Sequence, residues 1–594
     1  VPDRCACRGL ASLSIAAFAF FSIVLFGLPL CAHSQQTEPA SPVTPPAPPD
    51  TRVTALPTLD ELESQGAVIG AIGIINGNVF DTSDPKEDRA LFRLANSLRF
   101  HTRQDVIRRQ LLFKSGSRLS VRLIQESERI LRSNHYIYDA KIVPVNYHDG
   151  VVDLEVRTRD VWTLKPGISF GRSGGQNSTR FELEESNLLG WGKEITFSHD
   201  SNVDRAETMV RYTDPQVFGS WVGLTAGYSS NSDGQERELS LSRPFYAFDT
   251  RRAAGISGLD WDRVDSLYNL GEVVEKFAHA QKRFQVFGGY SKGVTNGWVQ
   301  RLTYGVAYES DTFTAIPDPL SAPVLPENRK FVYPFVGYDW VQERFEKRHN
   351  QSQIGRTEDV FTGAFLRTFL GLAGTAFGSD RNALMLGLQG GGSFESADAS
   401  TTLLLSSQGA ARIESGALRN ASLQTDARFY WRMTERQLLF GALTGVVTKD
   451  LDEDQQLVLG GDEPGLRNPV LEGPGLRAPL IRPDIVSLRG YPLRYQDGAS
   501  MALLTVEHRY YTPWYLFRIL YVGGAAFADV GRTWGRGTTG AASDGLLKDV
   551  GFGLRLGNSR SAFGSVIHVD LAFPIGGPSN IDKVQFIVET KASF

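Results

Sequence analysis

The seven residues VGLTAGY, Val222 to Tyr228, decide how the rest of the chain is read. Val222, Leu224, Ala226 and Tyr228 fall on one side of an extended chain and Gly223, Thr225 and Gly227 on the other, because successive side chains of a strand point to opposite faces. The same alternation returns near the end, where Ile567, Val569, Leu571 and Phe573 oppose His568, Asp570 and Ala572. From Trp162 onward, short alternating strands are separated by turns rich in Gly, Asn and Asp. One face is apolar and the other small or polar. A water-soluble sandwich would bury the apolar face and a membrane barrel would turn it to lipid, so alternation alone leaves both open.

Three features favour the membrane. Inward-type positions carry many Gly, Ser and charged residues, and the run is far too long for one sandwich. The segment VQFIVETKASF also places Val584, Phe586, Val588, Thr590, Ala592 and Phe594 on one face, as expected of a closing strand with an aromatic at the membrane interface. At roughly 9 to 11 residues per span, residues 162–594 allow about sixteen antiparallel strands. The expected fold class is an all-β transmembrane barrel preceded by one small α+β domain.

The N-terminus speaks for export. Arg4 and Arg8 precede an apolar run from Leu10 to Leu30 that ends in Ala32-His33-Ser34, which reads as a signal peptide over 1–34, cleaved after Ser34. A lipid anchor on Cys31 would need a small residue before it, and Leu30 stands there. Cys5, Cys7 and Cys31 are the only cysteines, so the chain after Ser34 has neither disulfides nor thiolate metal sites. A net charge of −4 over 594 residues speaks against a nucleic-acid partner. Residues 35–66 are rich in Pro, Thr, Ser and Ala and read as a disordered linker.

Residues 67–161 read as strand, helix, helix, strand, strand. VIGAIGII, Val68 to Ile75, is β-branched. Thr102 with Asp105 and then Ser120 mark two helix starts, before VIRRQLLF and VRLIQESERILR. YDAKIVPVNY and VVDLEVRTRDVW flank the turn pair Asp149-Gly150. This order resembles a POTRA domain, the periplasmic module that precedes certain outer-membrane barrels.

Enzymatic readings fail. Gly167 to Gly171 satisfies G-x-S-x-G by letters but lies on the first barrel strand, away from any strand-to-helix elbow. No H-E-x-x-H, P-loop or clustered His/Asp site appears, so no catalysis, metal or cofactor is expected.

One stretch fits no strand: SLRGYPLRYQDG, Ser487 to Gly498. Leu488-Arg489-Gly490-Tyr491 resembles the V-R-G-[FY] loop motif of the BamA/TamA superfamily of outer-membrane proteins, which includes two-partner secretion transporters. ESNLLGWGKEI from Glu185, FADVG from Phe527 and GFGLRLG from Gly551 resemble three further family motifs in the family's order. The resemblance spans nearly the whole chain after the linker. It implies a loop near 462–500 folded into the barrel, with Arg489 reaching inner-wall carboxylates that fall on Glu507 and Asp529. Periodicity independently turns Asp529 inward, opposite Val522, Gly524, Ala526, Ala528 and Val530. One departure is an insert between Gly460-Gly461 and Arg489 that carries Arg467 and Arg477 in near repeats; of the three arginines only Arg489 precedes Gly and an aromatic.

The function expected is insertion of outer-membrane proteins or polypeptide translocation, with the bilayer, unfolded client proteins held by the POTRA-like domain, and the barrel assembly machinery as partners. Phe594 would be the C-terminal assembly signal. The lateral seam is expected where Pro166, Gly167, Ile168, Ser169 and Phe170 of a weakened first strand meet Phe586 and Val588 of the last. A secretion pore for a dedicated partner protein and a passive porin or structural barrel remain the alternatives.

Overall fold

The computed structural model describes residues 56–594, apart from 353, 355, 462–463, 468–486, 541–544, 559, 561–565, 578–580 and 592–594. The expected signal peptide, most of the linker and Phe594 therefore lie outside the described residues. The linker ends earlier than composition suggests. Leu59–Ser64 form a helix, α1, because Thr58 and Glu61 close a capping box: the Thr58 hydroxyl accepts the Glu61 N–H, and the Glu61 carboxylate accepts the Thr58 N–H at 2.7 Å.

Strand β1 (Val68–Gly77), helices α2 (Ala90–Leu98), α3 (Gln104–Arg108) and α4 (Val121–Arg132), and strands β2 (Ile137–His148) and β3 (Val151–Asp160) follow. The sheet runs β1-β3-β2, with β1 parallel and β2 antiparallel to β3. Asp149 and Gly150 take φ of 48° and 77°, as a two-residue hairpin of the predicted kind requires. The apolar stripe of α4 buries Ile124 and Leu131 against Ile69, Ile107 and Val152. The helix expected after Thr102 is shorter and starts later. The Thr102 hydroxyl and N–H both bond Asp160, at 2.9 and 3.0 Å, and so cannot cap it. Helix α2 carries no side-chain cap, which is why no start signal marks it.

A closed antiparallel barrel takes up the rest. Its first strands are β4 (Leu164–Ser173), β5 (Gln176–Glu185), β6 (Glu194–Ser201), β7 (Ala206–Asp214), β8 (Gly223–Asn231) and β9 (Gly234–Arg243). Longer ones follow: β10 (Arg252–Asn269), β11 (Glu272–Thr295), β12 (Trp298–Thr314) and β13 (Arg329–Gln342). A separate hairpin of β14 (Phe345–His349) and β15 (Thr357–Phe361) interrupts the wall before β16 (Phe365–Ala373), β17 (Ala383–Glu395), β18 (Thr401–Glu414), β19 (Ala417–Thr434) and β20 (Gln437–Lys449). Between β20 and the next wall strand, β21 (Gln456–Leu459), β22 (Gly465–Arg467) and β23 (Gln496–Gly498) form a small sheet of order β22-β21-β23. The wall closes with β24 (Ser500–Leu516), β25 (Leu520–Trp534), β26 (Leu547–Asn558), β27 (Val566–Pro574) and β28 (Gln585–Lys591).

Among the described residues the barrel has 20 strands, which corrects the expectation of about sixteen. The difference arises at the start, where six strands of eight to ten residues follow one another between Leu164 and Arg243. Turns as short as Gly174-Gly175 join them, so dividing the chain by an average span plus loop undercounts. The outward faces are apolar, with Leu239, Leu241, Val336, Tyr338 and Trp340 exposed. The lumen is less uniformly polar than the alternation suggests. Phe331, Tyr333, Phe335, Phe369 and Met385 cluster inside, and Leu457, Leu459, Leu488 and Tyr491 of the inward segment pack with Tyr430, Phe440 and Leu503 of the wall.

Candidate functional site: the inward loop, the seam and the barrel mouth

The segment between β20 and β24 turns into the barrel, and its position follows from one guanidinium. Arg489 Nε and Nη2 donate to the two oxygens of Asp529 at 2.8 and 3.0 Å, a bidentate pair that fixes direction as well as charge. Its Nη1 donates to Glu507 at 3.0 Å and to Asp570 at 3.5 Å, and its Cζ lies 3.3 Å from the centroid of the Phe527 ring. Glu507 also pairs with Arg509 at 3.1 Å and Arg555 at 3.4 Å, and Arg555 pairs with Asp570. Arg489, Glu507, Asp529 and Asp570 are all buried. Asp529 and Asp549 are cross-strand partners on β25 and β26, an arrangement of like charges that is unfavourable in itself. The loop relieves both: Arg489 binds Asp529, and the Gly490 N–H donates to Asp549 at 2.8 Å.

The residues around Arg489 are shaped by that approach. A Cβ on Gly490 would come within 2.5 Å of the Asp549 Cβ, so only glycine lets the backbone touch the wall there. Tyr491 is buried, and its hydroxyl accepts the Lys548 N–H and donates to the Lys548 carbonyl, both at 3.2 Å. Leu488 bonds Gly461 through both backbone groups. That bridge brings Gly460-Gly461 beside Arg489 in space although an insert separates them in the chain. Most of the insert, Arg477 included, lies outside the described residues. Arg467 goes elsewhere, donating to the Ser266 carbonyl at 2.7 Å and approaching Asp204 at 3.4 Å.

Three further ties cross the lumen. Arg494 holds Asp204 bidentately at 2.8 and 2.7 Å, Arg329 holds Asp454 at 2.8 Å through two bonds, and Arg412 holds Asp452 at 2.7 and 2.8 Å. Sequence reasoning missed these pairs, along with Asp570, Arg509 and Arg555 of the Arg489 cluster. The signal was present for Asp570 and Arg555, since each is a charge on the inward face of an alternating strand, like Asp529. Nothing in the sequence pairs Arg494 with Asp204, 290 positions away.

Strand β4 pairs with β5 at all ten of its positions but with β28 at one, Val588↔Arg172, among the described residues. Pro166, Gly167, Ile168, Ser169 and Phe170 all lie on β4, opposite Leu183, Glu182, Phe181, Arg180 and Thr179 of β5. Phe586 and Val588 lie on β28, opposite Leu571 and Val569 of β27. The register across the seam corrects the sequence expectation: Arg172, rather than a residue in 168–170, stands opposite Val588. No turn joins the first strand to the last, so their offset cannot be counted from the chain.

At the opposite end of the barrel from the inward loop's entry, the N-terminal domain meets the wall through α4. Arg132 binds Asp359 of β15 through two bonds of 2.7 Å, Lys347 of β14 reaches Glu128 at 2.7 Å, and Arg122 pairs with Glu343 at 3.2 Å and with Asp249. Arg560 pairs with Glu87 and donates to the Val79 carbonyl at 2.6 Å. The hairpin also faces inward. Glu358 accepts the N–H groups of Gln351 and Ser352 at 2.9 Å each, and the Gln351 carbonyl accepts Arg509 at 3.3 Å. Glu126 is buried in this joint, its Oε1 accepting the Phe248 N–H at 2.7 Å and its Oε2 3.6 Å from Nη1 of Arg122, with no hydrogen bond among the described residues. Burial pushes its carboxyl above the ordinary range, against the opposing pull of the Phe248 N–H and Arg129.

No protein-family model and no curated protein sequence matches the chain. Among solved structures it is similar to BamA from Haemophilus ducreyi lacking POTRA domains 1–3, at 13% identity and TM-score 0.35, covering 88% of this chain and 84% of that one. It is also similar to CdiB from Escherichia coli, at 13% identity and TM-score 0.43 over 88% and 76%, and to CdiB from Acinetobacter baumannii, at 11% and 0.41 over 89% and 74%. Likenesses of this size carry no functional argument. Fold and site together define a closed barrel with a charge-tethered inner loop, a one-pair seam and a small α+β domain at one mouth.

Two outcomes are expected. Arg489→Ala leaves Asp529 and Asp549 face to face with Glu507 and should cost on the order of 3 kcal/mol. Arg467→Ala should cost far less, because Arg494 still holds Asp204. The temperature at which the unheated barrel band converts on a gel checks this, and equal shifts for both variants would remove Arg489 from its tethering role. At the mouth, a carboxyl whose value is raised by folding adds stability below its unfolded value and loses it as pH rises through the folded one. Glu126→Gln should therefore unfold at a higher temperature than the parent near pH 8, with the advantage vanishing below about pH 4.3. Melting curves at matched pH decide it.

Proposed function

We propose that the chain is an outer-membrane barrel that inserts or translocates other polypeptides through its seam, with the small α+β domain acting as a periplasmic POTRA-like receiver. The observation that carries this reading is the seam. A barrel wall normally has no free edge, yet β4 and β28 share one pair among the described residues. Their remaining backbone N–H and C=O groups offer an incoming strand a template for β-augmentation, which needs no nucleotide. The exposed apolar outer face supports a lipid environment, and ladder pairing away from the seam satisfies the backbone there. Clients would be unfolded outer-membrane or secreted polypeptides, and the protein would itself depend on the barrel assembly machinery for insertion.

The lumen argues against the two alternatives. A secretion pore must clear the inward loop, and a porin needs an open channel. Here the loop is tied at Asp529, Asp204, Arg329 and Arg412 and packs apolar side chains against the wall. Opening that path means breaking four charged contacts and a buried core, whereas opening the seam breaks one strand pair.

A staple separates the routes. The chain after Ser34 has no cysteine, so Arg172→Cys with Val588→Cys can pair only with each other. Directly opposed strand residues lie about 4.5 to 5.5 Å apart at Cα, within disulfide reach. Oxidation should stop client insertion and reduction should restore it. A stapled barrel, identified by its gel shift, that inserted clients at the reduced rate would exclude the seam route.

A further inference from the structure

Helix α2 leaves half of its apolar face uncovered. Phe92 is buried, stacked on Phe80 with ring centroids 4.1 Å apart, and the Asn96 side-chain amide donates to the Phe80 carbonyl at 2.9 Å. At 3.6 residues per turn Leu91 lies about 100° around the helix from Phe92 and Leu94 about 160° in the same direction, so both continue its apolar side. Yet Leu91 is 69% and Leu94 53% exposed, and Phe100, just beyond the helix, is 54% exposed. The other side of the helix carries Arg93, paired with Asp88.

The place of α2 on the ring indicates what meets that face. Before the helix, the Val79 carbonyl accepts Arg560 at 2.6 Å and Glu87 pairs with Arg560, a residue of the β26–β27 connection. After it, the Arg103 N–H donates to the Gly190 carbonyl at 3.0 Å, and the Thr102 hydroxyl accepts the Asn187 amide at 2.8 Å. Gly190 and Asn187 belong to the β5–β6 turn. Strands β27, β28, β4 and β5 separate these two anchors around the ring. A chord across four strands of twenty stays close to the wall, so α2 is a strap across the foot of the seam. Exposed apolar side chains of the wall border each anchor: Leu189 and Trp191 on one side, Trp514 and Phe517 on the other, beside Tyr515, whose hydroxyl accepts Arg560 at 2.9 Å. Trp residues at the rim of an apolar barrel face mark the level of the lipid headgroups.

We propose that α2 is an interfacial anchor whose Leu91, Leu94 and Phe100 enter the headgroup boundary of the periplasmic leaflet at the foot of the seam, with phospholipid as the partner. The leaflet rests on the orientation proposed above. A bilayer runs around the whole rim and so meets the strap and both flanking turns at once, whereas a client strand in the seam or a second copy of the chain would cover only part of that surface. Arg89 and Arg103, exposed before and after the helix, suit lipid phosphates. An amphipathic helix held in this way buries its apolar side about 5 to 10 Å into the boundary.

The test uses the full chain with Cys5, Cys7 and Cys31 exchanged for Ser and one new thiol at a time, from Leu91→Cys, Leu94→Cys or Arg93→Cys. Each thiol carries an environment-sensitive fluorophore, and the protein is reconstituted without client into vesicles of phosphatidylethanolamine and phosphatidylglycerol. A spin label near the headgroup end of the lipid acyl chains should quench the labels replacing Leu91 and Leu94 about threefold more than the label replacing Arg93, and aqueous iodide should show the reverse order. All three side chains are exposed, so labelling leaves the Phe92 packing in place, and the gel shift of the unheated barrel confirms assembly. Equal lipid quenching at the three positions, or equal access to iodide, overturns the assignment. Protection from iodide without lipid quenching also overturns it and gives the face to a protein: a second copy if the protection is constant, a client if it appears only when unfolded polypeptide is added. The contact with lipid is read whether or not the barrel inserts clients, so its failure is distinct from failure of the seam route, which the disulfide staple reports.

Discussion

The structure depends on a buried imbalance that only the inward loop corrects. Strands β25 and β26 set Asp529 directly opposite Asp549, and Glu507 and Asp570 stand on the adjoining strands β24 and β27. Arg509 and Arg555 answer Glu507 and Asp570 from the wall itself. The third cation, Arg489, comes from the loop and takes both oxygens of Asp529. Burying a carboxylate without a partner is so costly that the wall is complete only when the loop is in place. Its neighbours follow from that contact: Gly490 because the backbone touches Asp549, Tyr491 because its hydroxyl caps Lys548, and Leu488 because its backbone closes on Gly461.

Strength is distributed unevenly around the barrel. The side that carries Arg489 is held by charge and by the apolar cluster of Leu457, Leu488, Tyr491 and Leu503. Asp204 of the β6–β7 turn, Arg329 of β13 and Arg412 of β18 anchor the same loop at three other places on the ring, so it cannot leave the lumen by a small displacement. The seam lies beside this rigid region and has one strand pair. The proposed lateral route rests on that contrast between one strand pair at the seam and the several charged contacts of the loop.

The mouth adds a second connection between elements far apart in sequence. Arginines of α4 and acidic residues of the β14–β15 hairpin and its flank form the joint, and the hairpin tip reaches Arg509, which shares Glu507 with Arg489. Polar contacts joined by one backbone step, from Asp359 to Glu358, therefore run from the N-terminal domain to the inward loop. Glu126 is buried in the same joint, its Oε1 accepting the Phe248 N–H and its Oε2 3.6 Å from Nη1 of Arg122.

The alternation of Leu224, Ala226 and Tyr228, or of Val569 and Leu571 against Asp570, made a barrel legible, because side chains of a strand alternate with a period of two whatever surrounds them. The same period turns Asp529 inward, and the Asp149-Gly150 pair marks its turn because such residues take the positive φ that a two-residue hairpin requires. The strand count, the offset of Arg172 against Val588, the docking of the hairpin and the pairing of Arg494 with Asp204 were not legible. Nor was α1, whose capping box lies in a stretch that composition assigns to a linker. Local sequence determined which face each residue takes. Closure of the barrel decided which faces meet, because strand tilt and stagger belong to the whole ring, and no segment of the chain carries them alone.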